Sequence, residues 1–216
     1  MMTNRRLTTA LLAGTMLFYA GCATSSQPHY IDREKSGTSA PMTMGLDYED
    51  FQRAALKLVD SMLRSKYLDR MYQVKMKREG KPLILMISDF VNDTTQRIDI
   101  DQLVKRIRIS LLDSGKFIVT TALRAGGAED GATYEIRKLR GNAEFKQSRI
   151  AKKGTLESPD LSLSGKIIQR VGKLADGNQR VDYYIQMTLT DVTSGLAFWE
   201  GEEVISKAGS GKSAPW

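Results

Sequence analysis

Leu83-Ile84-Leu85-Met86-Ile87 is a continuous apolar run, preceded by the turn signal Gly80-Lys81-Pro82. Its length marks a strand, and a strand without polar alternation is buried on both faces. Such a strand belongs to a sheet covered by helices, and the flanking sequence supplies them. Upstream, Asp47 is suited to cap a helix, with Asp50 at the third helical position and a staple between Leu46 and Phe51. Apolar residues then recur at helical spacing: Tyr48, Phe51, Ala55, Leu58 and Met62. The stretch 65–80 between this helix and the strand is charged and mixed.

Downstream, a loop from Asn92 to Ile98 leads to Asp99, a second N-cap. The stripe Ile100, Leu103, Val104, Ile107 and Leu111 follows, and Gly115 closes that helix. Phe117 to Thr120 reads as a second strand, giving a βαβ unit. Ala125 to Gly131 is a loop, and a polar helix is expected from about Thr133 to Lys146. A third strand runs from Asp160 to Gln169, and Asp176-Gly177 sits where a hairpin turns. The fourth strand alternates cleanly, with Val181, Tyr183, Ile185, Met187 and Leu189 on one face and Asp182, Tyr184, Gln186 and Thr188 on the other. A turn at Thr193-Ser194-Gly195 leads to a fifth strand, Leu196 to Val204. The class is therefore α/β (α+β): a mixed sheet of about five strands with helices packed on it, in the order α-β-α-β-α-β-β-β.

The N-terminus is of a different kind. Arg5 and Arg6 precede an apolar run from Leu7 to Ala20, which ends in Ala20-Gly21-Cys22. As a helix that run is roughly 21 Å long, short of the hydrocarbon core of about 30 Å. It has the parts of a secretory signal covering residues 1–21. Cys22 is the only cysteine in the chain, so no intramolecular disulfide can form. Residues 22–44 are rich in Ser, Thr, Gln, Pro and Gly and read as a disordered tether. Fully extended it spans at most about 75 Å. A single domain at 45–216 remains. The formal charge of +7 includes two arginines of the signal, and the rest is spread along the chain. Secretion and a diffuse charge argue against nucleic acid as a partner, and leave acidic proteins, anionic lipid or cell-wall polymer.

Chemistry is sparse. The only histidine, His29, lies in the tether. Without His or Cys, the domain can build neither a histidine-based nucleophilic site nor the common zinc sites. No cofactor or metal is expected. An enzyme would have to use carboxylates, for which Glu200, Glu202, Glu203 and Asp160 are the candidates. Ser114-Gly115-Lys116 ends a helix and lacks the spacing of a phosphate loop. Gly126-Gly127 could cradle an anion, and the loop Asp89 to Ile98 feeds a helix N-terminus whose Asp99 and Asp101 already supply negative charge. Phe198, Trp199, Tyr183 and Tyr184 crowd the last hairpin, with Tyr184 and Trp199 expected on the face away from Tyr183, and Trp216 is a further aromatic.

Two resemblances bring these parts together. Ala20-Gly21-Cys22 resembles a lipobox, with Tyr19 where leucine is usual. This implies cleavage before Cys22 and acylation of its thiol and amine, palmitate included. Ala23 after it implies sorting to the outer membrane. The domain resembles the penicillin-binding protein activators of the LpoB family. The matching stretches are Leu83 to Thr94, Ile107 to Val119 with Ser114-Gly115-Lys116-Phe117, Pro159 to Gly165, Gln186 to Val192, and Gly195 to Gly201. That resemblance implies a fold similar to TolB N-terminal and curli-secretion lipoprotein domains. It also implies a non-enzymatic lipoprotein that binds the periplasmic part of a class A penicillin-binding protein and stimulates peptidoglycan synthesis. The family's partner-facing surface corresponds here to Arg149, Lys152, Lys153 and Ser164. The best-known members carry a long proline-rich tether, whereas this one holds only Pro28 and Pro41. The competing expectations are a component of an envelope assembly or secretion complex, and a wall-acting enzyme built on the carboxylates above.

Overall fold

The computed structural model describes residues 43–124 and 129–210. The signal, Cys22, His29, Gly126-Gly127 and Trp216 lie outside them.

Helix α1, Tyr48–Leu63, starts where its capping residues require. The Asp47 carboxylate accepts from the Asp50 amide at 2.8 Å, and the Asp50 carboxylate accepts from the Asp47 amide at 3.5 Å. One stripe of α1 is buried: Phe51, Ala54, Ala55, Leu58, Val59 and Met62. A second helix, α2 (Lys66–Glu79), occupies the charged stretch that sequence left without structure. Its only buried residues are Leu68 and Lys75, too few to print a helical stripe. Lys75 is held instead by an ion pair with Asp160, whose carboxylate also accepts from the Ile84 amide at 2.7 Å. Gly80 ends α2 in the left-handed region at φ 66°.

Strand β1, Leu83–Asp93, continues well beyond Ile87. A register shift between Ile87 and Phe90 lets its second half pair with β3, which shortens the expected loop at 92–98. Helix α3, Ile100–Asp113, is capped by Asp99 and ends before Gly115 at φ 68°. It crosses to β2, Phe117–Val119, which lies parallel to β1. Helix α4, Ala132–Lys138, is half the expected length. None of its residues is buried, so packing supports no further turns, and Gly141 takes φ 84°. Strands β3 (Leu161–Lys173), β4 (Gln179–Asp191) and β5 (Ala197–Gly209) form an antiparallel meander, each reaching past its expected end where cross-strand pairing continues. The sheet order is β2-β1-β3-β4-β5.

The core lies on one face of this sheet. Leu85, Leu163, Ile185, Met187 and Leu189 meet the buried stripes of α1 and α3 there. Burial of β1 on both faces holds for Ile84, but no described helix covers the opposite face of the sheet as a whole. Ser162, Ser164, Tyr184, Gln186 and Thr188 stand on that face half-buried. Trp199 is a correction. It pairs with Leu189 and packs on the core, so it shares a face with Tyr183 and not with Tyr184.

Candidate partner-binding surface

The chain enters the domain through a fixed point. Met44 is buried against Val181 and Tyr183, and its carbonyl accepts from the Tyr183 hydroxyl at 3.2 Å. The Gly45 carbonyl accepts from the Lys207 ammonium at 2.7 Å, and the Leu46 amide donates to Gln96 Oε1 at 2.9 Å. A side chain at Gly45 would run into Gln96. Lys207 also pairs with Asp50 and lies 3.5 Å from Asp47. Burial pushes the Asp47 carboxyl up, but hydrogen bonds from Asp50 and the nearby Lys207 charge leave it below its ordinary value. Burial pushes the Tyr183 phenol up.

The expected partner residues fall on two parts of the fold. Arg149 ends a short turn of 3-10 helix, Gln147–Arg149, and is exposed, as is Lys152. Lys153 lines a groove of about 440 Å³ together with Tyr134, Arg137, Lys138, Arg140 and Leu156. Ser164 stands apart, on β3 opposite Thr188 on the open face of the sheet. Arg137 and Arg140 were not singled out from sequence. Their position on an exposed helix end followed by Gly141 gives no periodic signal.

This basic segment keeps its shape almost without a core. Among the described residues 129–158 none is buried. Polar side chains bond the backbone instead. Arg140 Nε donates to the Ala151 carbonyl at 2.8 Å, and Gln147 Nε2 donates to the Asn142 carbonyl at 2.6 Å while its Oε1 accepts from the Gly141 amide at 2.9 Å. The Tyr134 hydroxyl donates to the Ala122 carbonyl at 3.0 Å. At the start of the segment, Arg108 of α3 forms a two-pronged pair with Glu129. Those bonds hold the Glu129 carboxyl below the usual range. Tyr134, Ile136, Phe145 and Leu156 are exposed among the cations, so the segment offers apolar and positive surface together. That mixture suits a protein partner.

Of the candidate catalytic carboxylates only Glu200 and Glu202 come together, lining an open cavity of about 360 Å³ with Gln186 and Thr188. Asp160 is committed to Lys75 and the Ile84 amide. Glu203 faces α1 and pairs with Lys57 at 3.5 Å. Glu200 and Glu202 lie on the open face beside Thr188 and Gln186. A second cavity, of about 530 Å³, lies between the starts of α1 and α3 beside Arg97, and there Asp99 already accepts from the Gln102 amide at 3.0 Å. Among the described residues no three His, Cys, Asp or Glu are grouped to hold a metal ion, and no helix is long and apolar enough to cross a membrane.

Comparison with known proteins matches a family model described as peptidoglycan-synthase activator LpoB, over residues 50–205. Among solved structures, the chain is similar to the LpoB C-terminal domain from Escherichia coli, with 14% identity, 73% of this chain and 99% of that chain covered, and a TM-score of 0.41. For the Salmonella enterica LpoB C-terminal domain the values are 14%, 72%, 98% and 0.39. For the NMR structure of E. coli LpoB they are 15%, 95%, 86% and 0.38. None of the curated proteins compared with the chain matches it.

Proposed function

The chain belongs to the LpoB family of peptidoglycan-synthase activators, and from that membership we propose that it is an outer-membrane lipoprotein, acylated at Cys22, that binds the periplasmic part of a class A penicillin-binding protein and stimulates it without catalysing a reaction itself. The observation that carries this reading is the extent of the family match. Residues 50–205 run from the first turn of α1 into β5 and so include the basic segment.

In this reading Lys153, Arg137 and Arg140 around Tyr134 form the centre of the contact, with Arg149 and Lys152 beside it and Ser164 extending it onto the sheet. Positive charge at such a surface speeds encounter with an acidic partner and selects against basic ones. Stimulation requires that the surface bind the active state of the synthase more tightly than the resting state. The tether sets a second condition, since the start of the domain must stay within about 75 Å of the anchor and the synthase must come within the domain's own reach of that point.

The test is direct. The full chain is added to each purified class A synthase of the same organism, and glycan-strand polymerisation is followed by consumption of the lipid-linked precursor. A several-fold rise in rate with at least one synthase is expected. No binding and no stimulation with any of them overturns the proposal. The anchor is tested separately: mass spectrometry of the protein purified from membranes should show an N-terminal acylated Cys22, and Cys22→Ser should lose the acyl mass.

A further inference from the structure

β5 is one edge of the sheet, with only β4 beside it, and among the described residues no other strand pairs with it. It is 13 residues long, where a common strand has about 5–6. An edge of that length presents a row of backbone donors and acceptors that another strand can use. Native proteins blunt such edges with proline, bulges or charged side chains, lysine above all; the register shift opposite Leu189 and Thr190 affects only the first residues of β5. β5 contains no proline, and its one lysine, Lys207, is buried and paired with Asp50.

The edge carries acid instead. Glu203 is matched by Lys57 on the helix side. Glu200 and Glu202 sit exposed on the open side, where they accept from neutral side chains: Thr188 at 3.4 Å and Gln186 at 2.7 Å. Two like charges at alternate positions of an edge strand, in a chain of net charge +7, make a local field opposite in sign to the whole. At the start of the strand Phe198 stacks on Tyr67 of α2, with ring centroids 6.4 Å apart and planes 23° from parallel. Tyr67 is 66% exposed and Leu196 61%.

We propose that the outer edge of β5 is a docking site for a basic, extended peptide segment, which adds to the sheet as a sixth strand. Its lysines or arginines, at alternating positions, face Glu200 and Glu202, and an apolar side chain rests on Tyr67, Phe198 and Leu196. Backbone pairing supplies affinity in this mode and the alternating side chains supply specificity. Glu203 disfavours a second copy of the chain. Full-overlap antiparallel pairing of two β5 strands is centred on Glu203 and sets it opposite its own counterpart, and like charges in that position are destabilising. The site differs from the basic segment in sign of charge, and only Ser164 comes near it, in the same cross-strand row as Glu200 with Thr188 between them.

The test uses the full chain, no synthase, and three fluorescent peptides of about ten residues, long enough to pair along most of the edge. One alternates lysine with valine and threonine, the second has glutamate for each lysine, and the third is the lysine peptide N-methylated at alternate amides. The lysine peptide is expected to bind and to slow hydrogen exchange of β5 amides, while the other two fail. E200Q/E202Q should weaken binding at least about fivefold with an unchanged melting temperature. Binding of the N-methylated peptide as tightly as its parent overturns the proposal, as does indifference to E200Q/E202Q or no binding at all. The charge-swapped E200K/E202K should now select the glutamate peptide. If it binds neither peptide while melting like the parent, the edge is not the site.

Discussion

Lys207, near the end of the last strand, places its buried ammonium against the Asp50 carboxylate in the first turn of α1. The pair closes the fold, because it bonds the first described helix to the sheet edge. Lys207→Met keeps the length of the side chain but leaves Asp50 with only Arg53 and the Asp47 amide, and the Gly45 carbonyl with only the Thr43 hydroxyl. Because those partners remain, the loss is expected at or below the low end of the about 3–5 kcal/mol of a fully broken buried pair. Denaturant unfolding of the two proteins checks it, and a loss below about 1 kcal/mol would show that solvent already screens the pair.

Gly165 lies where β3 passes beneath Phe90. A Cβ there would stand 2.6 Å from Phe90 Cδ1 and 3.0 Å from the Gln186 carbonyl oxygen. Gly165→Ala is expected to destabilise by about 1–3 kcal/mol. Adding Phe90→Leu should recover part of the loss, and absence of any recovery would place the strain on the Gln186 side.

The Arg108–Glu129 pair gives a pH dependence of definite sign. Hydrogen bonds from Arg108 hold the Glu129 carboxyl below its ordinary value of 4.5, so the folded state binds fewer protons than the unfolded state there. The stabilisation is complete above that value and is lost as pH falls through the lower folded value. Glu129→Gln should therefore be less stable than the parent at neutral pH, and the gap should shrink in acid. A constant gap between neutral pH and pH 3, measured by denaturant midpoints, would sink this assignment.

Arg149→Glu, Lys152→Glu and Lys153→Glu together should weaken synthase binding about tenfold, mostly through slower association. All three side chains are exposed, so stability should stay within about 0.5 kcal/mol of the parent for each change. Equal affinity of the triple variant and the parent would remove this segment from the contact.

Local signals were legible in the sequence because each is set by neighbours. Asp47 with Asp50, Asp99 with Gln102, and the glycines at 115, 177 and 195 act within a turn of chain, and each appears where expected. What escaped depends on partners far away. α2 is held by Leu68 in the core and by Lys75, whose partner Asp160 stands at the start of a strand remote in sequence. The face of Trp199 depends on how the hairpin turns: the register shifts between Leu189 and Thr190, and a slip of one residue moves a side chain to the other face. The basic groove was half legible. Lys153 was singled out through family resemblance, whereas Arg137 and Arg140 join it only once α4 stops short and the chain folds back.

The fastening at Met44, Gly45 and Leu46 has a mechanical consequence. The three consecutive residues are bonded to β4, to β5 and to Gln96 in turn. A tug on Thr43 is thus divided among separate parts of the scaffold before it can unwind α1. The attachment works as a rivet: force applied at residue 43 enters the sheet through β4 and β5 together and not through α1 alone.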